Sequence, residues 1–275
     1  MTGEAIRLDA ASRTHVGHVR RRNEDSLLQG QWLFAVADGL GGHVAGDVAS
    51  ATAIEAISGY DRPIRPEDLV GTVGRAIDDA SAALRRRTRE DPGLGGMGTT
   101  LVLMLYSPGG VAVVGNVGDS RAYLMRDAGS PQSRLLQVSE DHTYQHLVAH
   151  AAAVPNLPGR LARYLDGRSD GRSPDLTPLR LRPGDRILLC SDGLSSMVAD
   201  ETVAAVIESV GSLPSVSAAA AALALCEPDS LNVSSSRARA VGMMMTGERI
   251  PAEKAEAKRL WKQWEAASVE ASVHA

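Results

Sequence analysis

Apolar and polar positions change period several times along this 275-residue chain. Residues 12–38 alternate short β-type runs with turns. The run THVGHVR (14–20) is followed by a polar Asn-Glu-Asp step, then by SLLQG and WLFAVAD. The last of these enters the glycine-rich stretch DGLGGHVAG, after which DVASATAIEAIS has helical spacing. A second helix is predicted over roughly 66–90, opening at Pro66. Its apolar positions Leu69, Val73, Ile77, Ala80 and Leu84 recur every three or four residues, so one face is expected to be buried. Three strand-like runs follow at 99–106, 110–119 and 120–127, and the turns between them predict an antiparallel meander. Residues 142–178 read as loop and short helix. Residues 179–194 form two strand-like runs about a Pro-Gly turn, and helical patterns return at 200–210 and 214–226.

No repeat or long linker divides the chain before about residue 245, so residues 1–245 are expected to form one domain. A charged, alanine-rich helical extension is expected over 246–275. Strands with helix pairs inserted early and late predict an α+β fold, two antiparallel sheets with helices outside.

Composition narrows the chemistry. Aromatic residues are 3% of the chain, with a single Phe, so the core must be built from aliphatic side chains. The same scarcity argues against a base-stacking surface, and a net charge of −4 gives no global field for polyanions. No nucleic-acid partner is therefore expected, and the Arg clusters at 20–22 and 85–87 read as local, solvated features. Cys190 and Cys226 are the only cysteines and form no metal or disulfide framework, which suits a reducing cytoplasm. The N-terminal segment lacks the apolar core of a signal peptide. The most apolar run, 216–226, is too short to span a bilayer, so no transmembrane segment is expected.

The candidate chemistry lies where apolar runs stop at acids. Asp38-Gly39 follows one strand-like run and Asp192-Gly193 another, while Asp119 ends a third. A strand fixes a carboxylate, and a following glycine lets its backbone carbonyl approach a cation closely. A lone Asp-Gly is ordinarily a turn. Two of them after buried strands could set carboxylates side by side, where a cation would relieve their repulsion. Oxygen-only ligands point to Mg2+ or Mn2+ rather than zinc. Two such ions can activate a shared water against a phosphoester, leaving Ser, Thr and Cys as spectators.

The segments GHVRRRNEDS, LFAVADGLGGHVAGDVAS, GMGTTLVLML, VGNVGDSRAYL, SEDHT and ILLCSDGLSSMV occur in this order over roughly residues 12–210. Together they resemble the PPM family of metal-dependent Ser/Thr protein phosphatases in its bacterial form. The resemblance implies an αββα sandwich with a centre of two ions, or three, at one end of the sheets. By that resemblance Asp38 bridges two metals and Gly39 offers its carbonyl to one. Asp192 serves the second metal, and Glu24 and Asp25 hold metal-bound waters. Asp119 would join Asp192 at a third metal. Arg20 would bind phosphate through its planar fork, and His43 would protonate the leaving alkoxide. The implied partner is a phosphorylated protein, the product of a Ser/Thr kinase.

The match weakens near the C-terminus. Aligned on Asn232-Val233-Ser234, the family's last acidic ligand falls on Leu231, and the only nearby acid is Asp229. The following stretch, 234–245, carries Arg237 and Arg239 and reads either as an edge strand or as a departure from the family fold. Leu231 motivates an alternative reading, a weak or inactive domain that binds phosphoproteins. Leu260, Trp261 and Trp264 beside Lys258, Arg259 and Lys262 would suit either an interfacial helix or one that docks on protein.

Overall fold

The computed structural model describes residues 6, 8–16, 21–40, 45–147, 152, 156–157, 159–168, 173–209 and, as backbone, 241–246. Arg20, His43, Asp229, Leu231, the expected helix at 214–226 and the C-terminal extension after 246 lie outside these residues.

In chain order the elements are β1 (Asp9–Thr14), β2 (Asp25–Gln29), β3 (Leu33–Leu40), α1 (Gly46–Ile57), α2 (Leu69–Glu90), β4 (Gly98–Thr99), β5 (Leu101–Tyr106), β6 (Val111–Val117), β7 (Arg121–Arg126) and β8 (Arg134–Gln137). Then come α3 (Tyr144–Leu147), β9 (Asp175–Arg180), β10 (Arg186–Cys190), α4 (Asp192–Ser195), α5 (Asp200–Ser209) and β11 (Val241–Thr246). One sheet has the order β1-β11-β10-β7-β8 and the other β2-β3-β5-β6-β9, with the short β4 paired to β3. Every pairing between these strands is antiparallel.

Strand periodicity explains the layers. On β3, Leu33, Ala35 and Ala37 pack with Ala49, Ala53, Leu69, Val73 and Ile77 of the helices, while Phe34 and Val36 face Ala122, Leu124, Ile187 and Leu189 of the second sheet. Because both faces of β3 are covered, the strand is apolar without alternation from Leu33 to Ala37. A third cluster joins Tyr123, Leu188 and Cys190 to Leu194, Val203 and Ile207 beneath α4 and α5. The result is the expected helix–sheet–sheet–helix sandwich.

Helix α2 follows its predicted face closely. Leu69, Val73, Ile77, Ala80 and Leu84 are all at most 2% exposed, after a 3-10 turn begun by Pro66. It approaches β6 at Gly115, where a Cβ would lie 2.7 Å from Val73 Cγ1 and 2.9 Å from Ile77 Cδ1. Absence of a side chain there sets the helix–sheet distance.

The first strand is Asp9–Thr14, in register with β11; of the expected β-type run at 14–20, residues 15 and 16 lie outside that strand and 17–20 lie outside the described residues. Two expectations are corrected. The runs 99–106, 110–119 and 120–127 do not form one meander. β5 and β6 pair, but β7 belongs to the other sheet, with β10 and β8. The chain changes sheets at Gly118, whose φ of +121° suits glycine and turns the backbone out of the β6 ladder. The closing strand is not an edge either. Val241–Thr246 lies between β1 and β10, beginning beyond Arg237 and Arg239.

Gly115→Ala is expected to destabilise the fold by about 1–3 kcal/mol through overpacking against α2. Val73→Ala should recover part of that cost by removing the nearest methyl, giving a non-additive pair in urea denaturation. Additive effects would contradict this close approach.

Candidate metal centre

The β2–β3 hairpin sets the first part of the site. The carboxylate of Asp61 accepts the backbone N–H groups of Gln31, Trp32 and Leu33 at 2.7–3.1 Å, closing the turn. With the turn fixed, register places Asp25 directly opposite Asp38. Both are buried, each 7% exposed. Asp38 continues the face of Phe34 and Val36, and Asp25 that of Leu27, so both acids belong to the seam between the sheets.

Next to them, helix α1 begins almost in contact with β3. A Cβ on Gly39 would collide with the Gly46 carbonyl and lie 2.7 Å from the Glu24 carbonyl. A Cβ on Gly46 would lie 2.9 Å from both the Glu24 carboxyl carbon and the Gly39 carbonyl oxygen. Those two oxygen-bearing groups therefore converge on one side-chain-free spot. Ser50 supports Glu24 from behind, donating from its hydroxyl to the Glu24 carbonyl at 2.6 Å.

A hydroxyl chain joins this corner to the second sheet. The Asp38 N–H donates to Thr100 Oγ1 at 3.0 Å, and Thr100 Oγ1 lies 2.7 Å from Ser120 Oγ. Ser120 follows Asp119, and Arg121 pairs with Cys190 at the end of β10. Asp119 lies two residues before this pair and Asp192 two residues after it, at the start of α4. The ends of β3 and β10 thus open on the same end of the sandwich.

Residues 139–143 form a collar around the β6–β7 crossing. Ser139 Oγ accepts the Ala122 N–H at 2.9 Å, and Asn116 Nδ2 donates to the Glu140 carbonyl at 2.8 Å. Asp141 receives a two-pronged ion pair from Arg121 at 2.7–3.1 Å. Burial works against the Arg121 charge, but Asp141 and Tyr123 keep it protonated. His142 is fully buried, with Nδ1 accepting the Gly118 N–H at 3.1 Å and Nε2 2.9 Å from Asp175 Oδ2. Arg163 Nη1 donates to the other Asp175 oxygen at 3.0 Å. Burial alone would raise the Asp175 pKa, but the hydrogen bond from His142 and the charge and hydrogen bond of Arg163 outweigh it and hold the carboxyl below its ordinary value.

A matching model for the family described as protein phosphatase 2C covers residues 14–226. The chain belongs to the protein phosphatase 2C family. Its relatives include the Serine/threonine protein phosphatase PstP of Mycobacterium tuberculosis, 40% identical over 200 residues. That match covers 70% of this chain but 37% of PstP, so the chain spans little over a third of that relative's length. Serine/threonine phosphatase stp of Listeria welshimeri is 32% identical over 222 residues, 75% of this chain and 85% of the relative. The crystal structure of M. tuberculosis PstP superposes with a TM-score of 0.73 at 32% identity, covering 89% of this chain and all of that one. The PstP catalytic domain in complex with two manganese ions gives 0.70 at 32% identity, covering 87% and 97%.

Within this phosphatase 2C fold, the expected site residues are distributed as follows. Glu24, Asp25, Asp38 and Gly39 gather at one corner, Asp119 lies in the turn that enters β7, and Asp192 opens α4 just after the neighbouring β10. Arg20, His43 and Asp229 lie outside the described residues. Among the described residues, no three Asp, Glu, His or Cys side chains are already drawn together as a cation cage. The site is a rim of oxygen donors on rigid strand ends. That donor set and the side-chain-free spot at Gly39 and Gly46 fit a hard divalent cation. Sequence reasoning did not single out Thr100, Ser120, His142 or Asp175. For Thr100, Ser120 and His142 the signal was the co-occurrence of GMGTT, GDSR and SEDH, which touch only in three dimensions; Asp175 lies in none of these segments.

Asp175 yields a prediction about acid. A depressed folded pKa contributes stability above the unfolded value, ordinarily 3.8, and that contribution disappears as pH falls through the folded value. Wild type should therefore exceed Asp175→Asn in urea midpoint by a constant margin above about pH 5, and the margin should shrink below pH 4. A margin independent of pH would contradict an ionised Asp175.

Proposed function

We propose that the chain is a metal-dependent protein-serine/threonine phosphatase that hydrolyses phosphoserine and phosphothreonine with water as nucleophile. The observation that carries this reading is the register pairing of Asp25 with Asp38 beside the converging Glu24 carboxyl and Gly39 carbonyl. Its relatives' names and the manganese-bound relative support the same reading.

Asp38 would bridge two cations of Mn2+ or Mg2+, with the Gly39 carbonyl on one and Asp192 on the other. Glu24 and Asp25 would hold waters around them, and Asp119 with Asp192 would hold a third ion. When bound, such cations lower the pKa of a water and neutralise charge developing on the phosphoryl oxygens. The protein's own share is placement. The Asp61-closed hairpin fixes Asp25 against Asp38, and the Thr100–Ser120 hydroxyl pair keeps the two sheet ends in one register. Arg20 would orient the phosphoryl group through two parallel hydrogen bonds. His43 would give its proton to the leaving seryl or threonyl oxygen as the P–O bond to it breaks and the bond to water oxygen forms.

Among the described residues, a cysteine nucleophile does not fit. Cys190 is fully buried beneath α4, and burial pushes its thiol up to about 12, so no thiolate is available at neutral pH. Substrates would be phosphorylated proteins made by a Ser/Thr kinase, met in the cytoplasm. Tyr164, Leu165, Asp166 and Arg168 border a cavity of about 580 Å³ with Arg85, Asp78 and Leu176, and Leu165 is joined to Gly39 by two pairings, through Thr99. Flanking residues of a phosphopeptide would lie along this side.

Manganese-dependent hydrolysis of p-nitrophenyl phosphate and of a phosphothreonine peptide tests the reading. Asp38→Asn should lower kcat/KM by at least about a hundredfold with the fold retained, because several kcal/mol of charge stabilisation is lost. Well-folded wild type that binds phosphopeptide but shows no manganese-dependent turnover would favour the alternative, a phosphoprotein-binding module.

A further inference from the structure

The crossing from β6 to β7, through Gly118, Asp119 and Ser120, is held more firmly than a three-residue turn requires, and most of the hold comes from one histidine. His142 grips Gly118 on both sides. Its ring Nδ1 accepts the Gly118 N–H at 3.1 Å, and its own N–H donates to the Gly118 carbonyl at 2.9 Å. A backbone N–H can only donate, so Nδ1 is the unprotonated ring nitrogen. Nε2 therefore carries the hydrogen given to Asp175 Oδ2 at 2.9 Å. Asp175 is itself fixed, paired in register with Asn116 on β6 and bonded to Arg163 at 3.0 Å. The His142 carbonyl accepts the Ala162 N–H at 2.7 Å, anchoring the same residue from a third direction.

Gly118 has little freedom to answer any slackening here. Its φ is +121°, and a Cβ would fall 2.6 Å from Thr100 Cβ. The residue sits between Thr100, which bonds the Asp38 N–H, and His142. The next residue is Asp119. Its carboxylate is carried by a two-residue arm whose base is a single amide.

We propose that His142, oriented by Asp175, is a positioning residue for Asp119: its Nδ1 holds the Gly118 amide in the conformation that aims the Asp119 carboxylate at the metal rim. The proposal rests on the reading of Asp119 as a metal ligand. His142 touches neither substrate nor cation and acts only through the backbone. This is the familiar logic of outer groups orienting ligands, with a peptide group between the histidine and the acid.

Two substitutions separate the ring's acceptor from its bulk. In His142→Asn the side-chain oxygen can take the place of Nδ1 and still accept from Gly118. In His142→Gln the amide reaches toward Asp175 and the acceptor beside Gly118 is lost. Manganese binding is measured by calorimetry, and exchange of the Gly118 amide is followed by NMR in metal-free protein. Both are also measured on Asp119→Ala and on the double variant His142→Gln/Asp119→Ala. His142→Gln should lose Gly118 protection and weaken the Asp119-dependent manganese site about tenfold or more. His142→Asn should recover both, and His142→Gln should add nothing to Asp119→Ala.

Wild-type manganese affinity in folded His142→Gln would overturn the proposal. So would an equal loss in His142→Asn, or a further loss in the Asp119→Ala background. If Asp119→Ala itself leaves manganese binding unchanged, the ligand reading of Asp119 fails first, and Gly118 exchange still reports whether His142 holds the turn.

Discussion

Two carboxylates held opposite each other on adjacent strands are the constraint around which this sandwich is organised. Paired residues on one face bring their Cβ atoms to about 5 Å, where like unit charges repel by about 3 kcal/mol at an effective dielectric of about 20. Asp25 and Asp38 are fixed in that arrangement by the Asp61-closed hairpin, and burial denies them the option of turning into water. Such a pair attracts positive charge. The rest of the corner brings further oxygens, through Glu24, the Gly39 carbonyl, and Asp119 and Asp192 across the seam.

The seam itself is a packing solution with a chemical end. Aliphatic side chains from both sheets fill it along most of its length, as the scarcity of aromatic residues requires. At the end, the same inward-facing positions switch from Val36 and Leu27 to Asp38 and Asp25, and from Leu124 and Ala122 to Ser120. Period-two alternation thus delivers polar groups into a place that would otherwise be core. The Thr100–Ser120 contact keeps the two sheets from sliding past each other where they do so.

Much of this was legible before any coordinates. The faces of α2, the buried strand ending in Asp38-Gly39, and the sheet-and-helix layering follow from periodicity, which burial enforces. The change of sheet at Gly118 was not legible, because a short turn between two apolar runs looks the same whether the next strand pairs or crosses over. What decides it is a positive φ and a collar of residues 139–143, more than 20 positions away. The role of His142 escaped for the same reason: a buried histidine declares its partners only in space. The interior place of Val241–Thr246 contradicted its glycine and methionines as strand material, since position in a sheet is set by tertiary pairing more than by propensity.

That last strand has a consequence for how the molecule assembles. The central slot of its sheet, between the first described strand and the tenth, is filled by residues that follow all the other described elements along the chain. Until Val241–Thr246 arrives, β10 presents an open hydrogen-bonding edge and β1 lacks the neighbour it is registered against. Sheet closure is therefore among the latest and most long-range events in folding, and the nascent chain carries a sticky margin in the meantime. The carboxylate-bearing hairpin in the other sheet is complete long before, so the half of the molecule that gathers Asp25 and Asp38 matures ahead of the half that brings Asp192.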